Sequence, residues 1–117
     1  PVQLAAAKAL MLGGDWYNSI NAMYKKRREK VFALLQLLDC SFSPEQAGMF
    51  VWAKIPGTYK DGYALSDEVL YTSNVFITPG GIFGSAGRHY VRVSLCCPEQ
   101  KIEESISRIK TSLKGKK

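Results

Sequence analysis

Few side chains in this sequence invite chemistry, and Arg92 is the foremost. It sits in Tyr90-Val91-Arg92-Val93-Ser94-Leu95, where His89, Val91, Val93 and Leu95 alternate with Tyr90, Arg92 and Ser94. A strand over this run puts the aliphatics on one face and Arg92 on the other. A guanidinium in mid-strand between valines needs a partner that takes its planar fork, most naturally a carboxylate. Two sources are open: an Asp or Glu of this chain, or the carboxylate of an external ligand.

The remaining reactive residues exclude more than they offer. Cys40, Cys96 and Cys97 are odd in number and lack Cys-x-x-Cys spacing, so neither a disulfide framework nor a zinc site follows. They read as packing thiols. With His89 the single histidine, no cluster of metal ligands is expected. The net charge of +6 is concentrated in Lys25-Lys26-Arg27-Arg28 and in Lys110, Lys114, Lys116 and Lys117. These read as solvated helix and tail positions without interleaved aromatics, which argues against nucleic-acid binding. Lys8 interrupts the apolar opening stretch and Gly13-Gly14 ends it, so neither a signal peptide nor a membrane span is supported, and a cytoplasmic setting is the expectation.

The elements that must position Arg92 follow from periodicity. A length of 117 residues suits one core-bearing unit. Val2 to Leu12 reads as an apolar helix ended by glycines. Asp15 is the expected N-cap of a second helix that runs to about Asp39, its Lys/Arg block facing away from the core. At about 37 Å this helix matches the width of the domain, so its first half should reach beyond the core like a strut. Met49 to Ile55 reads as a strand with Met49, Val51, Ala53 and Ile55 inward and Phe50, Trp52 and Lys54 outward. Asp61 to Tyr71 gives a shorter helix with Tyr63, Leu65, Val69 and Leu70 buried. Val75 to Thr78 forms a strand that leads through a Pro-Gly loop into the Arg92 strand. Pro98 opens a closing helix with the stripe Ile102, Ile106, Ile109 and Leu113. The expected fold is α+β, a two-layer sandwich with a small, mostly antiparallel sheet, helices on one face, and a long linker helix before it.

Ile77-Thr78-Pro79-Gly80-Gly81-Ile82-Phe83-Gly84, followed by Tyr90-Val91-Arg92-Val93-Ser94-Leu95 and a Pro-Glu-led helix, resembles the C-terminal part of class I/II aminotransferases. These are fold-type I enzymes that use pyridoxal 5'-phosphate, and the resemblance is to their aspartate aminotransferase-like members. The resemblance covers essentially the whole chain and divides it into 1–14, the end of a large-domain segment; 15–39, an interdomain linker helix; and 40–117, the small domain. It implies that Arg92 grips the substrate α-carboxylate, fixing the amino acid while the cofactor supplies the electron sink. Phe50 then lines the substrate cavity, with plain packing as the alternative. Gly80, Gly81 and Gly84 shape the nearby loop or serve as ordinary turn glycines. Arg88, in the variable spacer, reads as a surface charge.

The family's Schiff-base lysine, the aspartate at the pyridine nitrogen and the phosphate-binding loop belong upstream, and Lys54 and Lys60 lack that context. The chain is therefore expected to be a piece of a longer enzyme, inactive alone, that moves an amino group between an aspartate-like amino acid and a 2-oxo acid. Its expected partners are these substrates, a missing large domain and a second copy of the parent. A pyridoxal-phosphate lyase or synthase of the same fold, and a non-catalytic basic interaction module, are the alternatives.

Overall fold

Alternation along two short strands builds the sheet. In a computed structural model describing residues 1–115, β1 (Phe50–Lys54) and β3 (Tyr90–Ser94) run antiparallel, with Trp52 opposite Arg92 and Phe50 opposite Ser94. The two-residue β2 (Thr78–Pro79) flanks the other side of β3, with Thr78 opposite Arg92, so β3 is central. Val51, Ala53 and Val91 point into a core that three helices close with buried side chains. These are α2 (Gly14–Leu37), α3 (Gly62–Ser73) and α4 (Glu99–Gly115); α1 (Val2–Leu10) buries nothing. The fold is the expected α+β arrangement, a small antiparallel sheet with helices on one face.

Helix α2 contributes buried residues only from its second half, Val31, Leu34 and Leu35, and the molecule extends 52 × 31 × 26 Å. Its cap is Gly13, with Asp15 inside the first turn, where a carboxylate still suits the helix dipole. The basic block does not face away as a whole. Lys25 and Lys26 are exposed, but Arg27 donates from Nη1 to Leu95 O at 3.0 Å and Arg28 from Nη2 to Gly48 O at 2.9 Å. Lys116 and Lys117, read as tail positions, lie outside the described residues.

Four other inward assignments change. Met49 is exposed because it precedes the β1 ladder, although its carbonyl accepts from Leu95 N at 2.8 Å. In α3, Tyr63 is exposed and lies over the Gly81 backbone, while Leu70 is half-buried; Ser66 and Ser73 take the inner face with Leu65 and Val69. Leu113 is exposed near the end of α4, whose stripe is buried at Ile102 and Ile109 and half-buried at Ile106. Asp61 caps α3 by accepting from Ala64 N at 3.0 Å, and Asn74 ends it in the left-handed conformation, φ 53°.

Candidate functional site

Three strands converge on Arg92. Its register partners are Trp52 on β1 and Thr78 on β2, which puts all three on the sheet face turned away from the core, together with Phe50. Trp52 is held by Gln46, whose Nε2 donates to Trp52 O at 2.8 Å while Oε1 accepts from Trp52 N at 2.8 Å. With Ser41, which exchanges main-chain hydrogen bonds with Lys54 at 2.9 and 2.7 Å, the amide covers the outer edge of β1.

The loop from β2 to β3 folds back over this face. It consists of two 3-10 turns, Gly80–Phe83 and Ser85–Gly87, joined at Gly84, whose φ of 129° a side-chain-bearing residue would adopt only under strain. The loop closes where Gly80 and Gly87 meet: a Cβ on Gly80 would lie 2.5 Å from Gly87 O, and one on Gly87 would lie 2.2 Å from Gly80 O. At its base Gly62 N donates to Arg88 O at 2.8 Å and Ile55 N to His89 O at 3.0 Å. Ser66 Oγ bonds Ile77 O just ahead of β2.

Two aromatic rings take the Arg92 guanidinium. Its Cζ is 4.1 Å from the Phe50 ring centroid and 4.0 Å from that of Phe83. Phe83 also meets Trp52 edge-on, at 5.6 Å and 69°. Aromatic faces attract the flat sides of a guanidinium and leave its N–H edge for hydrogen bonding. Among the described residues no carboxylate pairs with Arg92: the ion pairs are Lys30 with Glu99 and Glu103, and Arg108 with Glu104. The internal partner that the strand pattern left open is therefore not what holds this arginine. Arg92, Thr78 and Ser94 are among the residues that line a groove of about 670 Å³, together with Lys101, Glu104 and Arg108 from α4.

The family description aminotransferase class I and II matches residues 1–109. The chain belongs to this family. It is 39 % identical over 111 residues to the LL-diaminopimelate aminotransferase of Oleidesulfovibrio alaskensis, covering 92 % of this chain and 28 % of that protein. It is 33 % identical over 109 residues to the transaminase BacF of Bacillus subtilis, covering 92 % of this chain and 27 % of BacF. Among solved structures, the aromatic aminotransferase of Pyrococcus horikoshii superposes with a TM-score of 0.80 at 29 % identity, over 98 % of this chain and 31 % of that one. The chain thus spans just over a quarter of the length of these aminotransferases.

Class I and II aminotransferases imply pyridoxal phosphate, and among the described residues Lys54 and Lys60, the candidates for its imine, do not fit it. A lysine that forms an imine must present its amine neutral within an enclosing pocket. Lys54 and Lys60 are both exposed. No group of three or more His, Cys, Asp or Glu among the described residues could hold a metal ion, and no helix there is long and apolar enough to cross a membrane.

Of the other residues singled out in the sequence, Arg88 is exposed and makes main-chain hydrogen bonds, its N donating to Ser85 O at 3.2 Å and its O accepting from Gly62 N. Gly80 and Gly81 are tight against Trp52 and Tyr63, whereas Gly84 is open. Sequence reasoning missed Phe83 as a contact of Arg92, since it lies in a glycine loop with no periodicity. The signal was its place in the run Pro79-Gly80-Gly81-Ile82-Phe83-Gly84, which carried the resemblance without assigning Phe83 a contact. The shifted titrations are structural: burial pushes the Cys40 thiol up to about 11, burial and then a hydrogen bond to Glu68 raise Tyr59, and the hydrogen bond to Glu103 raises Lys30.

Proposed function

We propose that this chain is the carboxylate-gripping part of a longer aminotransferase that moves an amino group between an amino acid and a 2-oxo acid. The observation that supports this is the half-buried Arg92, stacked on two rings and with no carboxylate of the described chain to pair with it. In this reading its N–H fork takes both oxygens of the substrate α-carboxylate, and the bidentate grip fixes how the other substituents at Cα are presented. Phe50 forms part of the wall beside that carboxylate. Pyridoxal phosphate and its lysine are assigned to the remainder of the parent protein.

The amino donor follows less directly. The sequence resemblance suggests an aspartate-like donor, while one similar protein is named for LL-diaminopimelate and a structurally similar one for aromatic substrates. An Arg92 grip suits all three donors, because every amino acid carries the α-carboxylate. The parent is further proposed to act as a homodimer in the cytoplasm, a setting that would keep its unpaired Cys40, Cys96 and Cys97 reduced.

The test uses the full-length parent with aspartate, LL-diaminopimelate and phenylalanine as donors to 2-oxoglutarate. Arg92→Ala should lower kcat/KM at least about 30-fold for whichever donor is used, as expected when one partner of a desolvated charge pair is lost. Arg92→Lys should recover little, because an ammonium cannot reproduce the fork. Arg88→Ala should stay close to the unaltered protein. Equal effects at Arg88 and Arg92, or no transamination with any donor by an intact parent, would refute the assignment.

A further inference from the structure

We propose that Phe83 is a positioning residue for Arg92, and that the glycine loop is shaped to deliver its ring onto the guanidinium. The proposal rests on Arg92 being the carboxylate grip and assigns a role to a residue outside that grip.

An arginine side chain on an open sheet face has four rotatable bonds and no intrinsic orientation, so a bidentate grip requires something to set its plane. Phe50 supplies one ring from β1, in the position diagonal to Arg92 across the strand pair. One ring alone leaves the guanidinium free to lift away. The Phe83 ring, at 4.0 Å from Cζ, supplies the second contact, and it comes from the loop rather than from the sheet. Its orientation is itself set: the edge-on contact with Trp52 joins it to the residue directly across from Arg92.

Core burial does not account for Phe83. The residue is 48 % exposed, too open for its ring to contribute much as packing. What the loop geometry achieves is placement. The mutual approach of Gly80 and Gly87 pinches the loop base, Gly80 lies against the Trp52 ring, and Gly84, at φ 129°, ends the turn immediately after Phe83. A ring held this way keeps the guanidinium flat side occupied and its N–H edge turned out, ready for a carboxylate. Phe83 thus lowers the ordering that substrate binding would otherwise require.

Because the ring acts on binding through Arg92 and touches no reacting atom, its loss should appear in KM and not in kcat. In the full-length parent, Phe83→Leu is expected to raise KM for the amino donor by about 3- to 30-fold, the range of a cation–π contact, with kcat within about 2-fold. The dissociation constant of 2-oxoglutarate, measured by calorimetry as a plain 2-oxo acid probe, should rise in parallel. Phe83→Tyr should restore both, since it keeps the aromatic face. The rise should be the same for donors with different side chains, because only the shared α-carboxylate is affected. Should Phe83→Leu fold poorly by circular dichroism, Phe83→Met keeps the bulk without the ring and is expected to show the same rise. An unchanged KM in the folded variant, a loss confined to kcat, or a Tyr variant as impaired as the Leu variant would overturn the proposal while leaving Arg92 in place. If Arg92→Ala were itself harmless, the underlying reading would fall, and the role of Phe83 with it.

Discussion

Arg27 on α2 donates from Nη1 to the main-chain carbonyl of Leu95, just past the end of β3, at 3.0 Å. Its neighbour Arg28 donates to Gly48 O at 2.9 Å, just ahead of β1, and Leu95 N in turn donates to Met49 O at 2.8 Å. The two arginines therefore fasten the middle of the long helix to the end of the sheet that carries Arg92. The second half of α2 is thus joined to the sheet by these two bonds as well as by the packing of Val31, Leu34 and Leu35.

Arg27→Ala removes the donor to a carbonyl in a half-buried setting and also strips the stem that lies near the Tyr24 ring, 5.8 Å from the guanidinium. An acceptor left without its partner costs about 1–3 kcal/mol. Urea unfolding of the chain should show a loss of that size, whereas Lys25→Ala, at an exposed position, should stay within about 0.5 kcal/mol. Equal midpoints for the two variants would mean that the contact adds no stability.

The Gly80–Gly87 closure gives a sharper prediction. Either Gly→Ala change drives a methyl against a backbone oxygen, 2.5 Å away in one case and 2.2 Å in the other, so the loop must open. Overpacking of this kind costs about 1–3 kcal/mol. At Gly57, by contrast, an added methyl would have nothing within 4 Å, and Gly57→Ala should be neutral or slightly stabilising through the unfolded chain. Thermal unfolding of the three variants separates the two cases, and in the parent enzyme the first two should also raise KM.

The cysteines differ in reactivity for a physical reason. Cys40 is buried and its thiol is pushed from 9.0 up to about 11, first by desolvation and then by nearby Asp39, while Cys96 is exposed and Cys97 half-buried. The thiolate is the reactive form. At pH 8, iodoacetamide should therefore label Cys96 and Cys97 in the native chain, and Cys40 only after denaturation. The sign of the linkage is that the folded state holds the Cys40 proton more tightly, so this contribution is intact below pH 9 and fades as the pH rises from about 9 to 11. Wild type should lose more stability across that window than Cys40→Ala does; parallel pH profiles would refute it.

What was legible in the sequence was what is periodic. The alternation in β1 and β3 placed Phe50, Trp52 and Arg92 on one face, and the Ile102–Ile106–Ile109 stripe oriented α4. The expected strand Val75–Thr78 is displaced to Thr78–Pro79, which goes no further because Pro79 lacks an N–H to extend the ladder and Gly80 begins a 3-10 turn. Contacts made to main-chain carbonyls far along the chain left no local trace: Arg27 and Arg28 looked like any solvated basic block. Phe83 was hidden for a related reason, since its ring reaches Arg92 only after the glycine loop has reversed the chain.

At its start the chain leaves an apolar surface open. Val2, Leu4, Leu10 and Met11 are each 77–81 % exposed, no residue of α1 is buried, and the helix is tied to α2 through Tyr17 Oη donating to Ala9 O at 2.9 Å. A helix of nine residues is marginal in water unless its apolar side chains are covered. With Trp16 also exposed nearby, the open apolar surface is more than soluble monomers normally tolerate. In the parent protein the cover is proposed to be the remainder of the chain, and a second subunit beside it. For the chain by itself, the expected outcome is that α1 either pairs with another copy or loses its protection against amide exchange. Sedimentation with and without residues 1–13 distinguishes these: association that disappears on truncation supports pairing, and a monomer with unprotected α1 amides supports fraying. A monomer whose α1 amides are strongly protected would mean that the helix folds back onto its own sheet and helices, and the strut joining two bodies would have to be abandoned.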